Sequence, residues 1–193
     1  MTATITRWLS LSKKIAQVYS ECSQVKSIVI GGSVARGYAD DYSDVDIFVF
    51  CDNFPSEKER VSAVERVHGE GWKSHSDKIE QGLVRDCYRS EDARVDIGLY
   101  LISSVEKVLS DVFEHYDISP SKQGFCGGLL EALPLYGEQP IRTWQTRVAH
   151  YSDELAQAMI NKHLHIDPLW IPEIYVLERG DLLYLYPTLR VSV

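Results

Sequence analysis

The sequence predicts an α+β (mixed) fold, in which a small mixed sheet with flanking helices is followed by a helical C-terminal region. Two observations lead to this prediction. Over residues 1–116 the patterns run helix, strand, strand, helix, strand, strand, helix, an order typical of α/β or α+β domains. After residue 141 the apolar spacing is helical. We therefore expect a core domain over 1–116, a connector over 117–140 and a helical accessory region over 141–193.

The first four elements are marked by apolar spacing and by turn residues. Apolar side chains recur at helical spacing over 6–22, so this opening segment should be a helix. The run KSIVI ends at two glycines and predicts a buried strand that enters a tight turn. Residues 44–51 are rich in β-branched and aromatic side chains and predict a second strand. After Pro55, valines spaced along one face predict a helix that ends near Gly69.

The next two strands should form an antiparallel hairpin. They cover residues 82–89 and 93–102, and the three residues between them are enough for a hairpin turn. Ser103 and Glu106 have the spacing of a capping box, which predicts that a helix begins there. Apolar residues follow at the spacing of one helical face, so this helix should pack against the sheet.

The second half carries weaker signals. Residues 117–140 are richer in glycine and proline, so we expect a connector with one short helix around 129–133. Two helices should follow, over 141–165 and from residue 168 onward. The last residues are strongly apolar, which leaves open that the chain is a fragment or that this end packs on another subunit. A homodimer through the helical region would cover this surface.

The charge balance argues against a long nucleic acid as partner. The chain has 28 acidic and 20 basic residues, a net charge of −8, and no cluster of lysine and arginine. Contacts to phosphates supply most of the non-specific affinity for nucleic acid, so proteins that grip long nucleic acids normally carry such a cluster. The acidic balance is compatible with a small acceptor, and with a cationic one.

Composition also gives an expectation for the cellular compartment. No apolar stretch approaches the ~18 residues of a membrane span, so no membrane partner is expected. The N-terminus has no basic start followed by an apolar block, so we expect no signal peptide. The cysteines are scattered and form no C-x-x-C pair, as in a reducing compartment. We therefore expect a cytoplasmic protein whose thiols are Cys22, Cys51, Cys87 and Cys126.

Three aspartates are the candidate metal ligands. Residues two apart in a strand point to the same face, so Asp44 and Asp46 should project together. Asp96 interrupts an otherwise apolar strand, where an unpaired charge would cost several kcal/mol. A shared cation would compensate all three carboxylates. Oxygen ligands completed by water and phosphates suit Mg²⁺, so the sequence predicts a site for one or two hard cations.

The turn before the second strand is a candidate phosphate site. Gly31 and Gly32 let the backbone adopt positive φ and let a phosphate approach closely. Ser33 offers a hydroxyl and a backbone N–H at the expected start of a short helix. Arg36 adds a cationic group. These residues should bind a nucleoside triphosphate, whose α-phosphate a hydroxyl could then attack.

These motifs resemble those of a known superfamily. Gly32-Ser33, followed ten residues later by Asp44-Val45-Asp46, is similar to the signature of the DNA polymerase β-like nucleotidyltransferases, and Asp96 resembles their third carboxylate. The first half resembles the nucleotidyltransferase core, and the helical half resembles the accessory domain of the small antibiotic nucleotidyltransferases. The resemblance implies Mg²⁺-dependent transfer of a nucleoside monophosphate, usually AMP from ATP, to a small-molecule hydroxyl, with release of pyrophosphate and a role in antibiotic resistance.

Several alternatives stay open at this stage. Asp44 and Asp46 could be a solvated strand start, and Asp96 could pair with Arg94 or Arg85. Arg36 could equally be a solvated helix residue or a phosphate ligand. The chain could also be an antitoxin or regulatory binding module with a vestigial site, or an enzyme that modifies protein or RNA ends. In the helical half, the candidates for binding a cationic acceptor or for acting as general base are Asp153, Glu154 and Glu173.

The remaining candidates are expected to have structural roles. His163 and His165 lie two apart in a predicted helix, so they do not share a face and should be surface residues. Cys126 lies within the glycine-rich GFCGG segment, where we expect an unreactive loop cysteine.

Overall fold

A mixed sheet organises the computed structural model, which describes residues 2–76, 78–164, 174 and 178–180. The strands are β1 (Val25–Ile30), β2 (Val45–Cys51), β3 (Glu70–His75), β4 (Leu83–Ser90), β5 (Ala93–Leu101) and β6 (Leu133–Tyr136). The helices are α1 (Ala3–Ser20), α2 (Gly32–Arg36), α3 (Glu57–Arg66), α4 (Ile102–Phe113), α5 (Pro120–Glu131), α6 (Glu138–Ala149) and α7 (Asp153–His163).

The strand order of the sheet is β3-β4-β5-β2-β1-β6. Only one neighbouring pair in this sheet, β2 with β5, runs parallel, and the other pairs are antiparallel. The α+β class predicted from the sequence is therefore confirmed. The central position of the parallel pair matters, because it brings the starts of β2 and β5 to the same edge of the sheet.

One face of the sheet carries the larger core. Val45, Ile47 and Val49 alternate along β2, and Val95, Ile97 and Leu99 alternate along β5, all within 1% of complete burial. These residues pack with apolar side chains of α1 and α3 in one cluster. The period-two alternation that the sequence shows in both strands is thus the pattern of a sheet with helices on this face.

Within the first 150 residues, described elements cover part of the opposite face. An aromatic group formed by Phe50, Tyr100, Phe125 and Trp144 lies between the sheet and the helices α5 and α6, with ring centroids 5.0–5.9 Å apart. These rings stand at the C-terminal ends of β2 and β5. The N-terminal ends of the same two strands carry Asp46 and Asp96 on the same face. Among the described residues of the first 150, the helices α5 and α6 therefore cover the aromatic half of the face and not the acidic half.

Local signals explain most element boundaries. Thr2 caps α1, since its side chain accepts a hydrogen bond from Ile5 N–H. Ser56 and Glu59 form a complete capping box at the start of α3. The β4–β5 hairpin turns at Glu91 and Asp92, which both adopt positive φ, at 49° and 70°.

The structure corrects the prediction for residues 117–140. This segment is mostly α5 and β6. Where a short helix was expected, around 129–133, α5 ends and β6 begins. Gly124, Gly127 and Gly128 lower helix propensity by about 1 kcal/mol each, which made the segment resemble a loop. Buried Cys126 and Leu129 hold the helix through packing, so Cys126 is a helical cysteine rather than a loop cysteine.

Three further predictions differ from the structure. Strand β3 was not expected, because as an exposed edge strand it lacks an apolar alternation. The capping box at Ser103 is wrong: α4 begins directly after β5, and Glu106 instead accepts a hydrogen bond from Trp144 Nε1 at 2.6 Å. The helix predicted over 141–165 is interrupted, since α6 ends at Ala149 and Ser152 caps α7.

The chain divides into two compact units, Met1–His150 and Tyr151–Val193. The first contains the sheet and α1–α6, and the second contains α7, which ends at His163. The predicted domain limits of 1–116, 117–140 and 141–193 stay a prediction of functional organisation. The predicted helix from residue 168 onward, like His165, lies outside the described residues. Among the helices in the described ranges, none combines the length and hydropathy needed to cross a membrane.

Candidate active site

Three carboxylates meet at the starts of β2 and β5. Asp46 and Asp96 are direct partners in the parallel β2–β5 pairing, and Asp44 lies one residue before β2. One carboxylate oxygen of each residue lies within 4.8 Å of the others, and all three side chains are partly buried. The parity of the two strands and their register thus bring together the three aspartates singled out in the sequence.

Negative charge at this cluster is incompletely compensated. Arg94 Nε lies 3.0 Å from Asp96 Oδ2, so the ion pair considered as an alternative for Asp96 is present within the carboxylate cluster. Burial, together with the charges of Asp44 and Asp96, raises the pKa of Asp46 to about 6, against the opposing effect of Arg36 and Arg94. Such a cluster favours a bound cation.

The glycine turn lies directly against the carboxylates. Gly31 N–H donates a hydrogen bond to the Asp46 carbonyl at 2.9 Å, which joins the end of β1 to the start of β2. Gly32 has φ of 61°, and a Cβ atom there would stand 2.1 Å from Asp46 Oδ2. Any larger residue at Gly32 would displace the carboxylate. The turn and the acidic cluster are therefore one structural unit.

The short helix α2 carries the other two residues predicted to contact a nucleotide. Ser33 is the second residue of α2, and Arg36 is its last. The Arg36 side chain is exposed; its Nε lies 3.2 Å from Glu131 Oε2, and its guanidinium stands 5.5 Å from the centre of the Tyr38 ring. Arg36 thus lies near the site while also making contacts of its own on the surface.

A cleft of about 350 Å³ opens beside the carboxylates. Its walls include Asp46 and Asp96 together with Arg85, Tyr100 and His75. A larger cavity of about 580 Å³ adjoins it, lies against α4 and α5, and shares Arg85 and Tyr100 with the first. The site therefore offers space for a second molecule on the side of β3 and β4.

Sequence reasoning did not single out the residues of this cleft. Arg85 and Arg94 were considered only as ion-pair partners of Asp96, and His75 and Tyr100 were not considered. Parity within the predicted hairpin already placed Arg94 on the face of Asp96. Arg85 and His75 depend on the register of β3 with β4 and of β4 with β5, where His75 lies opposite Arg85, and Arg85 opposite Gly98.

The donor set fits a divalent cation. It consists of carboxylate oxygens that approach one another closely, and hard cations prefer such ligands. The acidic residues considered in the helical half have a different environment. Asp153 and Glu154 occupy the first turn of α7 behind the Ser152 cap, a position that acidic residues favour for helix stability alone. Glu173 lies outside the described residues.

Three carboxylates on neighbouring parallel strands, with a glycine turn against them, form the arrangement that the sequence predicts for nucleotidyl transfer. A family model described as a nucleotidyltransferase domain matches residues 12–118, more than half of the chain. The chain belongs to this family, and the superfamily predicted from the sequence is confirmed. No curated protein matches the chain.

Solved structures resemble the chain at low sequence identity. A nucleotidyltransferase-like protein from Exiguobacterium sibiricum shares 12% identity over 93% of this chain, with a TM-score of 0.44, and the chain spans 51% of that protein's length. A toxin–antitoxin structure with AMP-PNP shares 12% identity over 89% of this chain and 98% of its own, with a TM-score of 0.38. A mutant of the toxin–antitoxin MntA–HpeT shares 10% identity over the same fractions, with a TM-score of 0.36. At these TM-scores the resemblances add nothing to the assignment.

Proposed function

We propose that this protein transfers a nucleoside monophosphate, AMP from ATP, to a hydroxyl of a small-molecule acceptor and releases pyrophosphate. The observation that carries this proposal is the convergence of Asp44, Asp46 and Asp96 against the Gly32 turn. The family match gives the class of reaction. The four free cysteines agree with a cytoplasmic location.

The carboxylates would hold Mg²⁺. Asp44 and Asp46 would supply oxygens from β2, and Asp96 would supply one from β5. Bound there, the ion would neutralise charge on the triphosphate and lower the pKa of the attacking hydroxyl. The partial burial of the three side chains strengthens their electrostatic interaction with the ion, because fewer water molecules screen it.

The Gly31-Gly32-Ser33 turn would bind the triphosphate. Without a side chain at Gly32, the backbone and the Asp46 carboxylate lie side by side, so a phosphate bound at the turn would lie next to the carboxylates that would hold the ion. Ser33 would donate its hydroxyl, and Arg36 would add a positive charge from the end of α2. A hydrogen bond from Ser33 to a charged phosphate would contribute about 1.5–3 kcal/mol.

Asp96 would also be the general base. It lies on β5, on the side of the site away from the glycine turn, and next to the cleft. From there its carboxylate can accept the proton of an acceptor hydroxyl. As the hydroxyl oxygen bonds to the α-phosphorus, the bond from that phosphorus to the β-phosphate bridging oxygen breaks, and pyrophosphate leaves.

The intact carboxylates count against a regulatory module with a vestigial site. Burial and the mutual repulsion of the carboxylates raise the pKa of Asp46, and they therefore lower stability at neutral pH. A chain released from catalysis would lose nothing by replacing them. Modification of a protein or an RNA end remains an outcome that the experiment below can show.

The test measures pyrophosphate release from ATP with Mg²⁺ across small hydroxyl compounds, short RNAs and proteins. We expect turnover with a small molecule and its near-complete loss in Asp46→Asn. Asp52→Asn is the matched control, because Asp52 follows the opposite end of β2 and pairs there with Lys26. Equal turnover of Asp46→Asn and the parent would overturn the proposal, as would turnover with only RNA or protein.

A further inference from the structure

The order of the strands gives the site two distinct sides. The glycine turn follows β1, so a triphosphate bound there lies over the β1–β2 side of the carboxylates. Asp96 stands on β5, and beyond it lie β4 and then β3. An acceptor that attacks in line must approach opposite the leaving pyrophosphate. It must therefore come in over β4 and β3.

Basic side chains line that side. The acidic residues of the larger cavity are Glu80 and Asp111, and Asp111 is paired with Lys107 and Lys122. Arg85 projects from β4 on the same face as Asp96, one diagonal position away, at a Cα separation of about 7–8 Å. His75 lies opposite Arg85 on β3, and Lys78 follows a few residues later. Within the part of the chain that the structure describes, neither Arg85 nor Lys78 forms an ion pair with a carboxylate.

Arg85 stands where the cavities of this face meet. It lines the cleft of about 350 Å³ at the carboxylates, the cavity of about 580 Å³ under α4 and α5, and a third of about 260 Å³ shared with His75 and Lys78. Gly98, in the wall of the cleft, has no side chain to fill it; a Cβ atom there would stand 2.7 Å from the Tyr100 ring.

The sign of this charge is opposite to that of the whole chain, which carries a net charge of −8. A guanidinium that has no carboxylate partner among the described residues offers planar donors that match a phosphate or a carboxylate in two parallel hydrogen bonds. A cationic acceptor would meet repulsion from the same groups. The expectation of a cationic acceptor, drawn from overall charge, is thus opposed by the local charge.

We infer that the acceptor is an anionic small molecule, whose phosphate or carboxylate binds Arg85, with Lys78 and His75 beside it, while its hydroxyl reaches Asp96. This inference rests on the proposed function. In the reaction the hydroxyl proton passes to Asp96, the oxygen bonds to the α-phosphorus, and pyrophosphate leaves, so the anionic group of the acceptor is unchanged. Arg85 is a binding residue and takes no proton.

The first experiment measures anion binding without turnover. The metal-free protein is titrated with inorganic phosphate and, separately, with acetate, while backbone amide signals are followed by nuclear magnetic resonance. We expect saturable shifts at Arg85, His75 and Lys78, and at least a tenfold weaker affinity in Arg85→Gln. The two titrations show which anion is preferred. Shifts confined to the Gly32–Ser33 turn, or equal affinity in Arg85→Gln, would overturn the inference.

Arg89→Gln is the matched control. Arg89 lies on the same strand and the same face, four residues from Arg85, but its guanidinium contacts the Asp92 carbonyl in the hairpin turn at 2.9 Å. We expect parental anion affinity in this variant. An equal loss in Arg85→Gln and Arg89→Gln would show only general attraction to positive charge, and the inference would then be wrong.

The second experiment compares acceptors that share one skeleton. Pyrophosphate release is measured with glucose, glucose 6-phosphate, glucuronate and glucosamine, and with glycerol, glycerol 3-phosphate and glycerate. We expect the anionic members to have at least tenfold higher kcat/KM than the neutral ones, through KM, and Arg85→Gln to abolish that preference. A preference for glucosamine or a neutral member would contradict the inference while supporting the proposed function. Absent turnover with every acceptor would instead count against the proposed function, and the binding experiment would still decide the role of Arg85.

Discussion

At the scale of single residues, the identity of Gly32 is constrained both by its backbone conformation and by the carboxylate beside it. Its positive φ costs a non-glycine residue roughly 1–2 kcal/mol, and the close approach to Asp46 leaves no room for a side chain. We expect Gly32→Ala to destabilise the fold by about that amount and to remove nearly all transfer activity, because the methyl group would push Asp46 away. Urea unfolding and pyrophosphate release measure the two effects.

Gly37 provides the control for this prediction. It has a φ of 83°, so alanine is strained there as well, but a Cβ atom added at Gly37 would have nothing within 4 Å. Gly37→Ala should therefore lose similar stability and keep its activity. If both variants lost activity equally, strain in the α2 turn and not displacement of Asp46 would be the cause.

The charge of Asp46 gives a second prediction. Its pKa rises from 3.8 to about 6 on folding, so the folded chain binds this proton more tightly than the unfolded chain. Stability is therefore greatest at low pH for this group and falls as pH rises from about 4 to about 6. Without metal, we expect Asp46→Asn to be more stable than the parent at about pH 8, by on the order of 1 kcal/mol after allowing for partial solvent screening.

The difference between Asp46→Asn and the parent should become small at about pH 2.5, where the aspartate is protonated in both states. Denaturant unfolding at several pH values measures it. A variant that is less stable than the parent at about pH 8 without metal would show that the carboxylate makes a favourable contact that repulsion does not outweigh.

At the scale of elements, a buried ion pair joins α3 to the sheet. Arg60 on α3 donates hydrogen bonds to Asp86 on β4 and to the Ser74 hydroxyl on β3, and the two charged residues are at most 8% exposed. Asp86→Ala would leave a buried guanidinium without its partner, which costs about 3–5 kcal/mol. We expect a loss of that size in the free energy of unfolding.

Replacement of both partners provides the comparison. Arg60→Met combined with Asp86→Leu removes both charges and fills similar volume, so it should recover most of the stability that Asp86→Ala loses. Additive losses in the double variant would show that each residue is held by other contacts. The second Asp86 oxygen and Arg60 Nε have no partner in the described structure, which agrees with a pair that contributes little beyond mutual neutralisation.

Elements with strong local patterns could be predicted from the sequence, and those held by long-range contacts could not. The strands β1, β2, β4 and β5 carry apolar runs or alternation, and their parity already placed Asp44, Asp46 and Asp96 opposite the apolar core residues. Edge strand β3 and glycine-rich α5 lack such patterns and are stabilised by contacts with neighbouring elements instead. The cationic side of the site was missed for the same reason: Arg85 and His75 meet only through the pairing of β3, β4 and β5.

At the scale of the whole molecule, a bound ion should stabilise the entire fold. A ligand that binds only the native state at one hundred times its Kd adds about 2.7 kcal/mol, or about 5–10 °C in Tm for a chain of this length. We expect Mg²⁺ to raise the Tm of the parent by that amount and to leave Asp46→Asn nearly unchanged. Scanning calorimetry with and without the ion measures this, and equal shifts in both proteins would place the ion elsewhere.

Self-association through the helical region stays a prediction. The apolar residues on which it depends, at 168–193, lie mostly outside the described residues. Light scattering over a range of protein concentrations tests it, and a constant monomer mass would contradict it.

The parallel pairing of β2 with β5 also has a consequence for folding kinetics. Asp46 and Asp96 are register partners, yet α3, β3 and β4 separate them along the chain, so the proposed ion site can form only after a long segment has been closed. Closure of such a segment is slow because its entropy must be lost before the contact forms. If the pairing completes after the transition state, Mg²⁺ will slow unfolding and leave the folding rate unchanged. Stopped-flow refolding and unfolding with and without the ion would show on which arm of the chevron the effect falls.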